Sequence, residues 1–262
     1  TPGRRADCIL TSDLTTLPIE TVIARGTVVA ETGLCLAQDP GFVWPDTARR
    51  TVKMGRTLAA HDFDISAPEG ANSVRARVIG VVENQAPTRA LEADLDVIDG
   101  LVAMDMPADV CQIALVERHR GTGGVVNGFV SGFGYDVPCA VASTVAHDSH
   151  HMIVVGTSKA DMALAANRLG EIGGGVTVWR EGREVAHVAL PIAGLMSDAP
   201  AAEVAAAADA MVRAMQDCGC RLNNAYMQHS LLALVVIPEL RISDLGLIDV
   251  TRFEKTDLLI PS

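Results

Sequence analysis

Three imidazoles and a carboxylate fall within five residues at His147-Asp148-Ser149-His150-His151, between the apolar stretches 140–146 and 152–155. Polar side chains in such a setting are costly to bury unless they find partners. Histidine is also the side chain that exchanges a proton near neutral pH, so the cluster suits proton transfer or the binding of an ion or substrate. Two geometries are open. An extended chain sends His147 and Ser149 to one face and Asp148 and His150 to the other, whereas a turn brings His147 and His150 together. The structural alternative is a hydrogen-bonded strand end, but so many ionisable groups exceed what a turn needs. His147, Asp148 and His150 are therefore the candidate catalytic residues.

A second polar stretch, Glu117-Arg118-His119-Arg120, ends a predicted strand over 110–117 and enters a Gly-rich loop at 120–124. Loops on a rigid scaffold are a usual place for functional residues, although these residues alone favour a solvated, charged strand end. Other signals are weak. The run from Gly128 to Gly134 lacks phosphate-loop spacing, and Gly173 to Gly175 follow a helical pattern where a phosphate site needs them to precede one. Cys218-Gly219-Cys220 is not a paired Cys-x-x-Cys site, and no His-x-Glu with Pro-Cys-x-x-Cys occurs, which excludes a zinc centre of the cytidine-deaminase type. Methionines at helical spacing read as core.

The elements that must carry these residues follow from periodicity. Residues 74–82 and 110–117 read as strands, and Leu91, Ala93, Leu95 and Val97 alternate with Glu92, Asp94 and Asp96 as in a strand with one wet face. Asp99-Gly100 turns the chain into 101–104, and another apolar stretch covers 125–133. Ser158 with Asp161 three residues on predicts a helix start; Met162, Ala165, Leu169 and Ile172 repeat at helical spacing before the glycines at 173–175. A hairpin is expected around Glu181-Gly182. Asp198-Ala199-Pro200 opens a second helix with Val204, Ala208, Met211 and Met215 on one face and Gly219 placed to end it. Residues 231–237 read as a buried strand or short helix stopped by Pro238, followed by an irregular tail. Upstream, a strand at 6–10 and a hairpin around Arg25-Gly26 make a small all-β element. The Pro/Gly/Asp-rich passage 38–46 reads as a linker. The expected fold class is α+β: a mixed β-sheet domain with helices packed on it at 47–262, and a short all-β N-terminal segment at 1–37.

With 262 residues, 49% hydrophobic and 20% charged, the chain has ample material for a core, and at 3% aromatic that core must be aliphatic. A formal net charge of -11, from 21 basic and 32 acidic residues, repels a phosphate backbone and excludes nucleic-acid polymers as partners. No apolar run reaches the length a membrane span needs. Six scattered cysteines without a leader segment predict reduced thiols, no disulfides and a cytoplasmic location. The opening Thr1-Pro2-Gly3, in place of Met, suggests a processed or truncated piece.

Glu117-Arg118-His119, Gly128 to Gly134, Val145-Ala146-His147-Asp148-Ser149-His150, Met162 to Ala165 with Asn167-Arg168-Leu169, Pro191 to Ser197, and Ile237-Pro238-Glu239-Leu240 form a set of stretches. Taken together they resemble the C-terminal portion of the bacterial adenine deaminases, of the amidohydrolase superfamily. His151 departs from the family's usual Asn, and His229 is unusual for it. The opening residues Pro2 to Asp7 and the 22–30 hairpin resemble the passage where amidohydrolases leave their metal-binding barrel and complete a small β-domain.

The resemblance implies a divalent metal centre, manganese or iron with zinc as a further choice, in a (β/α)8 barrel. There it activates water to attack C6 of adenine, giving hypoxanthine and ammonia. No His-x-His occurs in these residues, so the metal ligands are expected outside them, in the barrel of the same polypeptide. The expectation is thus part of an adenine deaminase of purine salvage, with adenine as substrate, assembled as a homo-oligomer. His147, Asp148 and His150 would help line or close its active site, and Glu117, His119 and Ser149 would contact substrate. The competing class is a binding or assembly domain that contributes interface and no chemistry.

Overall fold

Four short antiparallel strands, β1 (Cys8–Leu10), β2 (Thr21–Ala24), β3 (Thr27–Glu31) and β4 (Leu34–Cys35), form a sheet in that order. They belong to the first of two units into which the chain divides, Thr1–Val43 and Trp44–Ser262. The computed structural model describes residues 2–37 and 41–261. Arg25 and Gly26 join β2 to β3 with φ values of 52° and 79°, the left-handed pair that a two-residue hairpin turn requires. None of the described residues of this unit is buried. Residues 38–40 of the expected linker lie outside the described residues, while 41–45 carry no regular structure and lead into a 3-10 turn at Asp46–Ala48.

The second unit is built on one mixed sheet. Its strands are β5 (Ser73–Gly80), β6 (Arg89–Ile98), β7 (Leu101–Val102), β8 (Val110–Val116), β9 (Val125–Ser131), β10 (Cys139–Ser143) and β11 (Met152–Gly156). Helix α1 (Lys159–Ile172) follows, then β12 (Gly175–Arg180), β13 (Arg183–Ala189), helices α2 (Ala201–Asp217) and α3 (Ala225–Leu231), and β14 (Leu240–Ser243), β15 (Gly246–Asp249), β16 (Glu254–Thr256) and β17 (Leu259–Ile260). The spatial order is β13-β12-β10-β11-β8-β9-β5-β6-β7. Among the described residues, only the β5–β9 pair is parallel. β17 lies against Arg75 and Ala76 of β5, on the edge that β9 occupies only over Val78–Gly80. β14, β15 and β16 make a separate small sheet.

Every residue of β8, β10 and β11 is buried, as expected of strands covered on both faces. On one face Ala114, Val116, Ala140, Ala142, Met152 and Val154 pack with Met162, Ala165 and Leu169 of α1. On the other, Ile113, Leu115, Val141, Ile153 and Val155 pack with Met211 and Met215 of α2 and with Leu240, Ile242 and Leu247 of the small sheet. Ser158 caps α1 by accepting from the Asp161 amide, and Gly173 at φ 80° ends it. The fold is α+β.

Two sequence expectations are corrected. The segment expected as a strand or helix over 231–237 is a run of turns, and the helix, α3, lies just upstream. The expected irregular tail carries four strands. Strands of two to four residues are too short to display an alternation that can be read from sequence.

Candidate functional site

The two polar stretches come together because their strands pair. β11 runs antiparallel to β8 with Met152 opposite Val116, so the residues leaving β8, Glu117 to Arg120, meet those entering β11, His147 to His151. The 144–151 connection from β10 is a turn, closed by the His150 amide donating to the Ala146 carbonyl at 2.7 Å, with His150 at φ 50°. His is among the non-glycine residues that enter this left-handed region most readily. The turn, one of the two geometries open from sequence, brings the His147 and His150 rings to 5.3 Å between centroids at 64°. The His147 amide donates to the Ser230 carbonyl at 2.9 Å.

A second imidazole pair stands beside the first. The His119 and His151 rings are 4.7 Å apart at 54°. His119 Nε2 donates to the Ser149 carbonyl at 2.8 Å, which fixes its proton on that nitrogen because a carbonyl can only accept. His151 Nε2 is 3.7 Å from Asp244 Oδ2. Burial first, then the neighbouring rings and the Arg118 charge, lower the pKa of His150 and of His151, and the Asp148 and Asp244 carboxylates oppose this. The Nδ1 atoms of both rings are buried without a partner. Native structures leave few such atoms unpaired.

Glu117 organises the loop that carries His119. Its Oε1 accepts from the amides of His119 (2.5 Å) and Arg120 (2.7 Å), and its Oε2 accepts from the Thr122 amide (3.0 Å) and hydroxyl (3.1 Å). Burial alone would raise its pKa, but these bonds win and hold it at about 2. Arg118 points the other way and is almost fully buried. Its Nε donates to the His150 carbonyl at 2.6 Å and its Nη2 to those of Ala193 at 3.3 Å and Thr144 at 3.4 Å. A cleft of about 480 Å³ opens here, lined by Glu117, His119, Thr122, Val126, His151 and Asp244 among others.

All six candidate residues thus lie at one end of the sheet. His119 and Ser149 touch, His147 and His150 form a pair, and Asp148 and Ser149 are exposed at the tip of the turn. Sequence reasoning passed over Asp244 and, as site residues, Arg118 and His151. His151 is visible as the fifth member of the cluster and Arg118 as a member of the second polar stretch, whereas nothing near Asp244 in the chain announces its place. The divalent metal implied by the resemblance finds no seat among these residues. Among the described residues, no three of His, Cys, Asp and Glu converge in a way that could hold a metal ion.

The family model described as adenine deaminase C-terminal domain matches residues 85–254, a span that includes both polar stretches, Arg118 and Asp244. The chain belongs to this family. An adenine deaminase of Ruegeria pomeroyi is 72% identical over 261 residues, which cover 99% of this chain and 43% of that protein. One from Paracoccus denitrificans is 70% identical, again over 99% of this chain and 43% of the relative. One from Moorella thermoacetica is 45% identical over 98% of the chain and 43% of its own length. The chain therefore spans less than half the length of these adenine deaminases, and is similar to them throughout.

Proposed function

We propose that this chain is the C-terminal portion of an enzyme that hydrolyses adenine to hypoxanthine and ammonia in purine salvage. Water supplies the oxygen at C6 and the exocyclic nitrogen leaves as ammonia. The names of relatives similar over nearly the whole chain support the substrate. The metal centre, with manganese or iron and zinc as the further choice, belongs to a barrel in the part of the relatives' length that this chain does not cover. The first unit, a four-stranded sheet without a buried residue, fits the closing piece of a small β-domain whose core needs further strands. The assembly is a cytoplasmic homo-oligomer. No helix among the described residues is long and apolar enough to cross a membrane.

The observation that carries a role for this chain's own residues is the convergence of His147, His150, His119 and His151 at the sheet end, with buried ring nitrogens left unpaired. His150 and His151, whose basicity burial lowers, are neutral near pH 7, and a neutral imidazole can accept a proton from a reacting group. In this reading His147 and His150, with Asp148 beside them, handle protons, while His119 and Ser149 contact the purine. Glu117 has both oxygens engaged in its own loop and contributes by shaping it.

The test uses the full polypeptide. His147→Ala and His150→Ala should each lower kcat/KM for adenine by about 10²-fold to 10⁴-fold, with little change in melting temperature, and the double variant should be scarcely worse than the worse single one. Wild-type turnover with a lowered melting temperature would return the cluster to a structural role and leave this chain as an assembly domain.

A further inference from the structure

Arg118 is 2% exposed, and no ion pair to it occurs among the described residues. Burial pushes its pKa down to about 10, which still leaves it charged at neutral pH. A guanidinium has five N–H donors in a rigid plane. Three of them go to the carbonyls of Thr144 and His150, near the two ends of the 144–151 turn, and of Ala193 in the loop between β13 and α2. The carbonyl of Arg118 itself accepts from the Lys53 amide at 2.9 Å. Gly194 lets the loop close on it: at φ +70° a Cβ there would stand 2.9 Å from Nη1. Arg118 thus ties both ends of the turn to each other and to the β13–α2 loop.

We infer that Arg118 is the positioning residue for the His147–His150 pair, fixing the His150 carbonyl and through it the place of both rings. This rests on the reading that those rings serve deamination. The groups that bear on the His150 ring are His147, Arg118, Asp148 and His119, and the Arg118 charge favours the neutral ring.

In the full polypeptide, Arg118→Ala should lower kcat on the order of 10²-fold, as for a displacement of about 1 Å at a reacting group, while KM changes far less. Millimolar guanidinium chloride should restore part of the loss where sodium chloride does not. The titration of the His150 ring, followed by NMR on ring-labelled histidine, should move to higher pH in Arg118→Ala. In Arg118→Lys, which keeps the charge and loses the fork, the titration should move less while turnover still falls. Loss of turnover without rescue and without change in the ring titration overturns the inference, because the damage is then general. Full turnover with an unmoved titration overturns it as well. Should Arg118→Ala fail to fold, Gly194→Ala displaces the guanidinium without removing it, and normal turnover with a normal His150 titration there has the same force. A titration that moves while turnover stays intact upholds the positioning role and removes the rings from the reaction.

Discussion

Replacing Glu117 by Gln removes one charge and one acceptor from a carboxylate that four donors share. The amide group of Gln would face the Thr122 or the His119 and Arg120 donors, leaving N–H groups unpaired at part-buried bonds of the loop. The wild-type carboxyl moves from 4.5 to about 2 on folding, which by linkage is worth roughly 3 kcal/mol at neutral pH. Because the folded value is depressed, this contribution is fully present above pH 4.5 and is lost as the pH falls through about 2. The glutamine variant should therefore be less stable by about 2–3 kcal/mol at pH 7, with the gap narrowing as the wild type is acidified toward pH 2.5. Urea midpoints across that range measure the gap. Hydrogen exchange at the amides of His119, Arg120 and Thr122 reports it locally, and their protection should drop together in the variant. Since the loop holds His119 against Ser149, turnover should fall too. A stability gap that stays constant from pH 7 to pH 2.5 would refute the account of Glu117 as a charged latch, as would unprotected amides in the wild type.

His229 is fully buried, which holds its pKa down at about 4 against the bond from its Nε2 to the Val141 carbonyl. The unfolded chain takes up a proton below pH 6.5 where the fold does not, so stability should decline by up to roughly 3 kcal/mol as the pH drops from 6.5 through 4. His229→Phe should flatten that part of the pH–stability curve; an unchanged slope would mean the ring is charged in the fold. Metal content, by elemental analysis of the full polypeptide, should be the same in the triple variant His147→Ala, His150→Ala, His151→Ala as in the wild type. Loss of metal atoms would put ligands in this turn.

The parts of the fold legible in the sequence are those with enough residues to show a period. β6 alternates four apolar residues with three acidic ones from Leu91 to Val97, and α1 announces both its cap and its glycine stop. α3 was missed because Tyr226 to Leu231 mixes polar and apolar residues over fewer than two turns, with His229 and Gln228 turned inward. For the site, the two polar clusters could be seen as separate runs but not as neighbours, since their meeting depends on the β8–β11 register. Arg118 is the sharpest case. Charged residues are rarely buried without a counter-charge, and three carbonyls, two from the 144–151 turn and one from the loop between β13 and α2, take the place of one here, an arrangement that no local pattern encodes.

The position of β17 has a consequence for synthesis and solubility. β5 is among the first strands of its unit to leave the ribosome, and β9 covers only part of one edge. The stretch at Arg75 to Arg77 keeps unpaired backbone groups until Leu258 to Ile260 arrive from the far end of the chain and accept and donate there. Long-range pairings of this kind form late, and an open edge in the meantime is a template for joining another copy. The nascent or truncated protein is thus most exposed to aggregation at β5, where Arg75 and Arg77 place charge on the edge itself. A tag or deletion that disturbs residues 258–260 would lower soluble yield before it lowered activity.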